Sequence, residues 1–333
     1  MAVVRKMVPV AMILLLAVGL AGLAGCAQED GERVIGISKI VSHPALDAVE
    51  QGIQDELAEQ GFEFTFDLQN ANGDFTAATQ IASKFRADRV AYAVGIATPT
   101  SQALVNELRE IPVIYSAVTD PVEAGLVESY DPPGGNVTGY SDLTPVAEQL
   151  RILMEMMDIE AIGHVYSSGE ANAVVLANIA REAAEEAGIR FVEATVTNSA
   201  EVRQAAQAIA GRVDAIYVST DNTVVSALSA LVEVATNAGI PVMTADPSSA
   251  EEVDVLAAHG FSYYNMGRAT GRLIAEIEGG REIGSIPTQY MTDPADVDLV
   301  VNLDVAAALG IDVPQSVLEM ATTIIENGQI AQN

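Results

Sequence analysis

Residues 34–57 read VIGISKIVSHPALDAVEQGIQDEL and contain an apolar run, a polar turn and an amphipathic segment, in that order. The run VIGISKIV is short and rich in β-branched residues, which predicts a buried strand. After the turn, four apolar side chains recur with helical spacing: Leu46, Val49, Ile53 and Leu57. One helical face therefore packs on the strand, and the stretch is predicted to be a strand–turn–helix unit of an α/β fold.

The same alternation of strand-like runs and helical segments continues along the chain to about residue 326. It starts again at residues 161–168, AIGHVYSS, after a helical segment at residues 145–157. Alternation of this kind predicts parallel sheets, here in two similar α/β lobes with a cleft between them. We expect residues 34–143 plus 263–283 to form the N-terminal lobe, and residues 144–262 plus 284–333 to form the C-terminal lobe.

The first 33 residues are predicted to direct the chain to the cell envelope. Arg5 and Lys6 precede an apolar run over residues 7–23, which is typical of a secretory signal. The run ends in Leu-Ala-Gly-Cys at residues 23–26, which matches the lipobox of bacterial lipoproteins. We therefore expect a signal peptide at residues 1–25, a lipid on Cys26 and a tether at residues 26–33. The alternative is an ordinary signal peptide followed by an incidental cysteine.

Composition excludes several classes of function. The formal net charge is -30, whereas nucleic-acid binding needs an excess of Lys and Arg. A single cysteine excludes an internal disulfide and a thiolate zinc site. His43, His164 and His259 lack paired metal-ligand spacing, and the common catalytic and phosphate-binding motifs are absent. We expect no catalytic residue, no metal, no cofactor and no nucleic-acid partner.

Polar residues collect where the predicted strands end and helices begin, which is where α/β folds bind ligands. They are Ser42 and His43, with the adjacent Pro44, then Thr98, Thr100 and Ser101, then Thr119 and Asp120, and, further along, Asp142, Asp221, Asn222 and Asp246. Thr98 is predicted to cap a helix whose N-terminus suits a carboxylate. The aspartates would hold an ammonium, since a buried cation needs an anionic partner. Together these groups suit a zwitterion such as an amino acid, although each alone is also typical of a plain helix cap.

Six segments carry a family resemblance. They are SHPALD at 42–47, NANGD at 70–74, ATPTSQA at 97–103, AVTDPVEAGLV at 117–127, NVTGYSD at 136–142 and STDNTVVSA at 219–227. In this order they resemble the ABC-transporter substrate-binding lipoproteins of the tryptophan/tyrosine type (TrpX-like). The resemblance implies a type I periplasmic-binding fold, with two Rossmann-like lobes joined by three crossover segments. It also implies delivery of the ligand to a membrane permease. Carried over by position, it places ligand contacts at His43–Ala45, Thr98–Ser101, Thr119–Asp120, Asp142 and Asp221–Asn222.

The sequence thus predicts a monomeric, lipid-anchored, extracytoplasmic receptor of an ABC importer that binds a small molecule between two lobes. Its partners would be that ligand, an ABC permease and, through Cys26, the membrane. A ligand sensor for a signalling partner has the same fold and site and is the main rival hypothesis. Two further hypotheses are an enzyme on an α/β scaffold and a purely structural envelope lipoprotein.

Overall fold

The computed structural model describes residues 33–332. Within this range, no helix has both the length and the apolar character needed to cross a membrane. The predicted signal peptide at residues 1–25, the lipidation site Cys26 and all but the last residue of the tether lie outside the described residues.

One lobe is built on a six-stranded sheet whose paired strands are all parallel. Its strands are β1 Val34–Lys39, β2 Thr65–Asn70, β3 Tyr92–Ile96, β4 Val113–Val118, β5 Val137–Ser141 and β11 Gln289–Tyr290, in the spatial order β11-β5-β4-β3-β1-β2. The helices that follow or cover these strands are α1 Pro44–Glu59, α2 Phe75–Asp88, α3 Thr98–Glu107 and α9 Tyr263–Glu278. Pro44 occupies the first turn of α1, where a missing amide hydrogen costs no helical hydrogen bond.

Helices α1 and α9 pack at unusually short range because glycines face each other's backbones. A Cβ at Gly267 of α9 would lie 2.3 Å from the carbonyl oxygen of Val49 in α1. A Cβ at Gly52 of α1 would lie 2.3 Å from the carbonyl oxygen of Tyr264. Only glycine permits this approach, which binds the start of α9 to the helix that follows β1.

The other lobe is built on an eight-stranded sheet that is mostly parallel. Its strands are β6 Ala161–Ser167, β7 Arg190–Val196, β8 Ala215–Val218, β9 Val242–Thr244, β10 Ala257–Phe261, β12 Val297–Asn302, β13 Thr323–Glu326 and β14 Gln329–Gln332, in the order β14-β13-β12-β10-β9-β8-β6-β7. Its helices are α4 Val146–Met156, α5 Ala171–Glu186, α6 Val202–Ala210, α7 Asn222–Val225, α8 Leu228–Ala238, α10 Leu303–Leu309 and α11 Gln315–Met320. Two pairs, β10 with β12 and β13 with β14, are antiparallel, and the other strand pairs of this sheet are parallel.

The chain passes between the lobes three times. The first crossing lies between β5 and α4, the second is Ser262 between β10 and α9, and the third follows β11. The second and third crossings are joined, because the amide of Ser262 donates to the carbonyl of Asp296 at 2.8 Å.

The predicted fold class is confirmed: two α/β lobes with parallel-dominated sheets are joined by three crossings, as in type I periplasmic binding proteins. The last crossing comes later than expected. Gln289 and Tyr290 extend the first sheet beside β5, and the carbonyl of Ile286 accepts a bond from Thr138. The chain therefore leaves the first lobe after residue 290 rather than at the predicted residue 284.

Candidate binding site between the lobes

A cavity lies between the two lobes, with about 20 Å³ open to the centre of a water-sized sphere. From the first lobe and the crossings it is lined by His43, Ala45, Leu46, Ala117, Thr119, Asp142 and Tyr263. From the second lobe it is lined by Asn172, Thr220, Asp221, Asn222, Val225 and Asp246. Six of these residues lie within three positions of the carboxyl end of a strand, where parallel α/β sheets place their ligands: Thr119, Asp142, Thr220, Asp221, Asp246 and Tyr263.

An irregular strand end brings two of the lining residues into the cavity. The pairing of β4 with β5 shifts register between Tyr115 and Val118. Within this bulge Ala117 has a φ of 56°, a left-handed conformation that alanine rarely adopts. Strained backbone of this kind is concentrated at functional sites. Here it places Ala117 and then Thr119 on the cavity wall.

Asp142 lies at the first crossing and is buried. Its carboxylate accepts hydrogen bonds from the phenol of Tyr263 at 2.9 Å and from the hydroxyl of Thr119 at 3.2 Å. Burial raises the pKa of Asp142 to about 6, although both hydrogen bonds oppose that rise. The pKa of this carboxyl therefore lies well above that of an ordinary aspartate.

Asp221 is the N-cap residue of α7 and has no exposed surface. It accepts the amide hydrogens of Ser167 at 2.5 Å and Val224 at 3.0 Å. Burial, followed by the nearby carboxylate of Glu170, raises the pKa of Asp221 to about 8. A cation entering the cavity would stabilise the ionised form and reverse this shift.

Asp246 follows β9 and is the third buried carboxylate of the cavity. It accepts the amide of Ser248 at 3.0 Å and the hydroxyls of Ser248 and Ser249. Among the described residues, none of the three aspartates forms an ion pair, and no lysine or arginine lines the cavity. Because buried charges are normally paired, this wall is suited to a ligand that brings its own positive charge.

A negatively charged group of the same ligand can bind at the N-terminus of α1. Ala45 and Leu46 lie in its first turn and line the cavity. Amides in the first turn have no helical acceptor, and the helix dipole favours a negative group there. The cavity therefore offers backbone donors on one lobe and carboxylates that come mainly from the other.

The structure brings seven of the predicted site residues together on the cavity wall: His43, Ala45, Thr119, Asp142, Asp221, Asn222 and Asp246. Six others do not line it. Ser42 is exposed and bonds to Asp47, and Pro44 lines a separate groove. Asp120 caps its own turn and accepts from Tyr130 at 2.8 Å.

The predicted role of Thr98 as a helix cap is wrong, because Ala97 occupies that position with a φ of 76°. The hydroxyl of Thr98 is buried and has no hydrogen-bond partner within residues 33–332. Thr100 donates its hydroxyl to the carbonyl of Ile96 at 2.7 Å, and Ser101 donates to that of Ala97 at 2.8 Å. These two hydroxyls are used inside their own turn and do not face the cavity.

Sequence reasoning missed several residues of the site. Six lining residues were outside the predicted set: Leu46, Ala117, Asn172, Thr220, Val225 and Tyr263. Glu170, which contacts Asn222 and Thr223, was also missed. The signal was present, since Ser-Ser-Gly-Glu at residues 167–170 is another polar strand end before a helix.

The two remaining histidines have structural surroundings. His164 is fully buried, lies 2.9 Å from the carbonyl of Tyr217 and stacks between Tyr166 and Tyr217. Burial lowers its pKa to about 4, so it stays neutral. His259 lies 3.0 Å from the carbonyl of Asp298. Across residues 33–332, no group of three His, Cys, Asp or Glu side chains could hold a metal ion.

Comparison with known proteins identifies one family for almost all of the described chain. Residues 34–325 match the family described as ABC transporter substrate binding protein. The tyrosine-binding protein of Clostridioides difficile (strain R20291) is 34% identical over 310 residues, which cover 87% of this chain and 89% of that protein.

Two solved structures of similar identity differ in how well they superpose. The ABC domain in complex with L-Trp from Streptococcus pneumonia is 32% identical, with a TM-score of 0.84 and coverage of 88% of this chain and 100% of that one. The ligand-free, open structure of a substrate-binding protein with adhesive properties from Clostridium difficile is 35% identical, with a TM-score of 0.66 and coverage of 88% and 99%. This chain therefore superposes better on the complex than on the open structure.

Proposed function

Since the chain belongs to the family of ABC transporter substrate-binding proteins, we propose that it is the lipid-anchored receptor of an importer and captures an amino acid. It would bind its ligand as a monomer outside the cytoplasm and deliver it to a membrane permease. The lipid would be attached to Cys26, which the lipobox sequence at residues 23–26 supports. The prediction that the chain is not an enzyme is confirmed, because its family and its relatives are solute-binding proteins.

One observation carries the choice of ligand class: Asp142, Asp221 and Asp246 are buried around one cavity without a cationic partner from the described chain. An ammonium group supplies the missing charge and three N–H donors. A carboxylate on the same ligand meets the free amides at the start of α1. An α-amino acid carries both groups on one carbon atom.

The relatives support an aromatic side chain. The curated relative is named for tyrosine, and one of the solved structures holds L-Trp. The cavity wall of this chain offers apolar contacts from Leu46, Val225 and the ring of Tyr263. We therefore take tyrosine and tryptophan as the first candidates.

The test is a thermal-shift screen of the purified protein against the common amino acids, with native mass spectrometry to identify any co-purified ligand. We expect L-tyrosine or L-tryptophan to raise the melting temperature of the wild type. Asp221→Asn should weaken binding of that ligand by about tenfold or more, because the interaction between the carboxylate and the ammonium group is lost. The matched control Asp120→Asn, which lies off the cavity, should bind as the wild type does. A screen in which no amino acid shifts the wild type would contradict the proposal.

A further inference from the structure

Three buried polar atoms of cavity-lining residues have no hydrogen-bond partner among the described residues. They are Nδ1 of His43, Oδ1 of Asn172 and Oγ1 of Thr220. Buried polar atoms in native proteins nearly always have partners, so unpaired atoms at a binding site point to groups of the ligand. Which of them donate and which accept follows from their neighbours.

The carboxylate of Glu170 fixes the side chain of Asn222. Glu170 is 2% exposed and accepts from Nδ2 of Asn222 at 2.6 Å. It also accepts the amide of Thr223 at 2.9 Å and its hydroxyl at 2.6 Å. A carboxylate that receives three donors must face the nitrogen of the Asn222 amide group. The oxygen Oδ1 of Asn222 is thereby directed to the other lobe.

That oxygen lies 3.4 Å from Nε2 of His43. Because Oδ1 of Asn222 can only accept, Nε2 carries the hydrogen, and in the neutral ring Nδ1 keeps its lone pair. Burial lowers the pKa of His43, against the opposing charges of Asp246, Asp47 and Glu170. The side chain of His43 makes no capping bond to α1, so Nδ1 remains available as an acceptor.

Asn172 contributes a second neutral acceptor from the opposite lobe. It is 4% exposed, and its Nδ2 donates to the carbonyl of Thr220 at 3.0 Å. Its Oδ1 is left without a donor. The cavity thus has charged acceptors for an ammonium and, separately, neutral acceptors for a donor that carries no charge.

We propose that His43 is a specificity-determining residue that accepts a hydrogen bond from an uncharged O–H or ring N–H group of the ligand. Asn172 is the second acceptor for such a group. Glu170 is a positioning residue, which sets the tautomer of His43 through Asn222 and has no ligand contact of its own. The identity of the ligand group rests on the proposed function, whereas the tautomer of His43 does not.

The first arm of the test is ¹⁵N NMR of the histidine rings in the ligand-free protein at pH 7. We expect His43 as a neutral ring with its hydrogen on Nε2. Glu170→Gln leaves a single acceptor oxygen for three donors, so the strong preference for this tautomer should be lost. The control Ser42→Ala, an exposed neighbour, should keep the wild-type spectrum. A charged His43 or a hydrogen on Nδ1 in the wild type overturns the proposal, and an unchanged tautomer in Glu170→Gln overturns the role of Glu170.

The second arm compares ligands that differ by one donor: L-tyrosine with L-phenylalanine, and L-tryptophan with 1-methyl-L-tryptophan. In the wild type, loss of the donor should weaken binding by about tenfold or more. This preference should disappear in His43→Phe and shrink in Asn172→Ala, and it should persist in the control Asp120→Asn. An undiminished preference in both cavity variants overturns the proposal. If none of the four compounds binds the wild type, the choice of an aromatic amino acid as ligand fails, and the NMR result alone decides the assignment of His43.

Discussion

The phenol of Tyr263 donates a hydrogen bond of 2.9 Å to Oδ2 of Asp142, and this bond joins two of the three crossings between the lobes. Both residues are buried and both line the cavity. The same pair therefore contributes to the connection between the lobes and to the charge of the binding site. A ligand that changes the ionisation of Asp142 would act directly on a segment that joins the lobes.

Tyr263→Phe should raise the pKa of Asp142 above its value of about 6, because the phenol donor stabilises the ionised carboxylate. The measurement is a ¹³C NMR titration of the Asp142 carboxyl in the ligand-free protein. Thr119→Val removes the weaker donor, at 3.2 Å, and should move the midpoint in the same direction by a smaller amount. An unchanged midpoint in Tyr263→Phe would show that the phenol does not stabilise this charge.

Asp221 should make the free protein less stable as the pH rises. Its pKa is about 8 in the folded state, against a usual value of 3.8. Between these values the folded state holds a proton that the unfolded chain has lost. The stability that protonated Asp221 adds to the folded state is therefore present in full below about pH 4 and is lost as the pH passes through about 8.

Urea unfolding at several pH values between 5 and 9 measures this effect. The free energy of unfolding should fall with pH less steeply in Asp221→Asn than in the wild type. The control Asp120→Asn should keep the wild-type slope, since Asp120 lies outside the cavity. Equal slopes for Asp221→Asn and the wild type would contradict the assignment.

Thr98 and Thr100 should respond in opposite ways to the same substitution. Thr98→Val replaces a buried hydroxyl that has no partner and should raise the free energy of unfolding by about 1 kcal/mol. Thr100→Val removes a donor to the carbonyl of Ile96 and should lower it by about 1 kcal/mol. Chemical denaturation of the two variants and the wild type measures both changes in the free energy of unfolding. Weaker ligand binding by Thr98→Val would instead restore the sequence prediction that Thr98 contacts the ligand.

Gly267→Ala should destabilise the protein by roughly 1–3 kcal/mol or more, because the new methyl group would meet the carbonyl oxygen of Val49 at 2.3 Å. The matched control is Gly211→Ala, where a Cβ has open space and φ is -78°. That change should stay within about 0.5 kcal/mol of the wild type. Similar unfolding midpoints for the two variants would show that α1 and α9 are not packed as closely as described.

Much of the fold could be predicted from local sequence, because each strand and helix carries its own pattern. Residues 34–57 give β1 and α1 at nearly the expected positions. The failures lie where tertiary contacts override the local pattern. The apolar helical pattern over residues 224–238 does not give one helix, because the chain is interrupted at Ala227, which has φ -121° and ψ 21°. Thr98 is a good cap by type, yet the turn after β3 gives that position to Ala97.

The site was predicted less completely because it depends on how the lobes meet. Residues that follow strands, such as Asp221 and Asp246, can be found by their position in the sequence alone. Tyr263 reaches the cavity only because the second crossing turns directly into α9. The free acceptor of Asn172 arises from a bond to Thr220, 48 residues away, which no local pattern indicates.

The central claim is that buried carboxylates in the cleft hold the ammonium group of an amino acid. Isothermal titration of the wild type with L-tyrosine and L-tryptophan, each compared with its N-acetyl derivative, tests it most directly. Acetylation removes the positive charge and keeps the carboxylate and the ring. We expect roughly a hundredfold weaker binding or more for the acetylated form of whichever amino acid binds. Equal affinity for the free and acetylated forms would contradict the account.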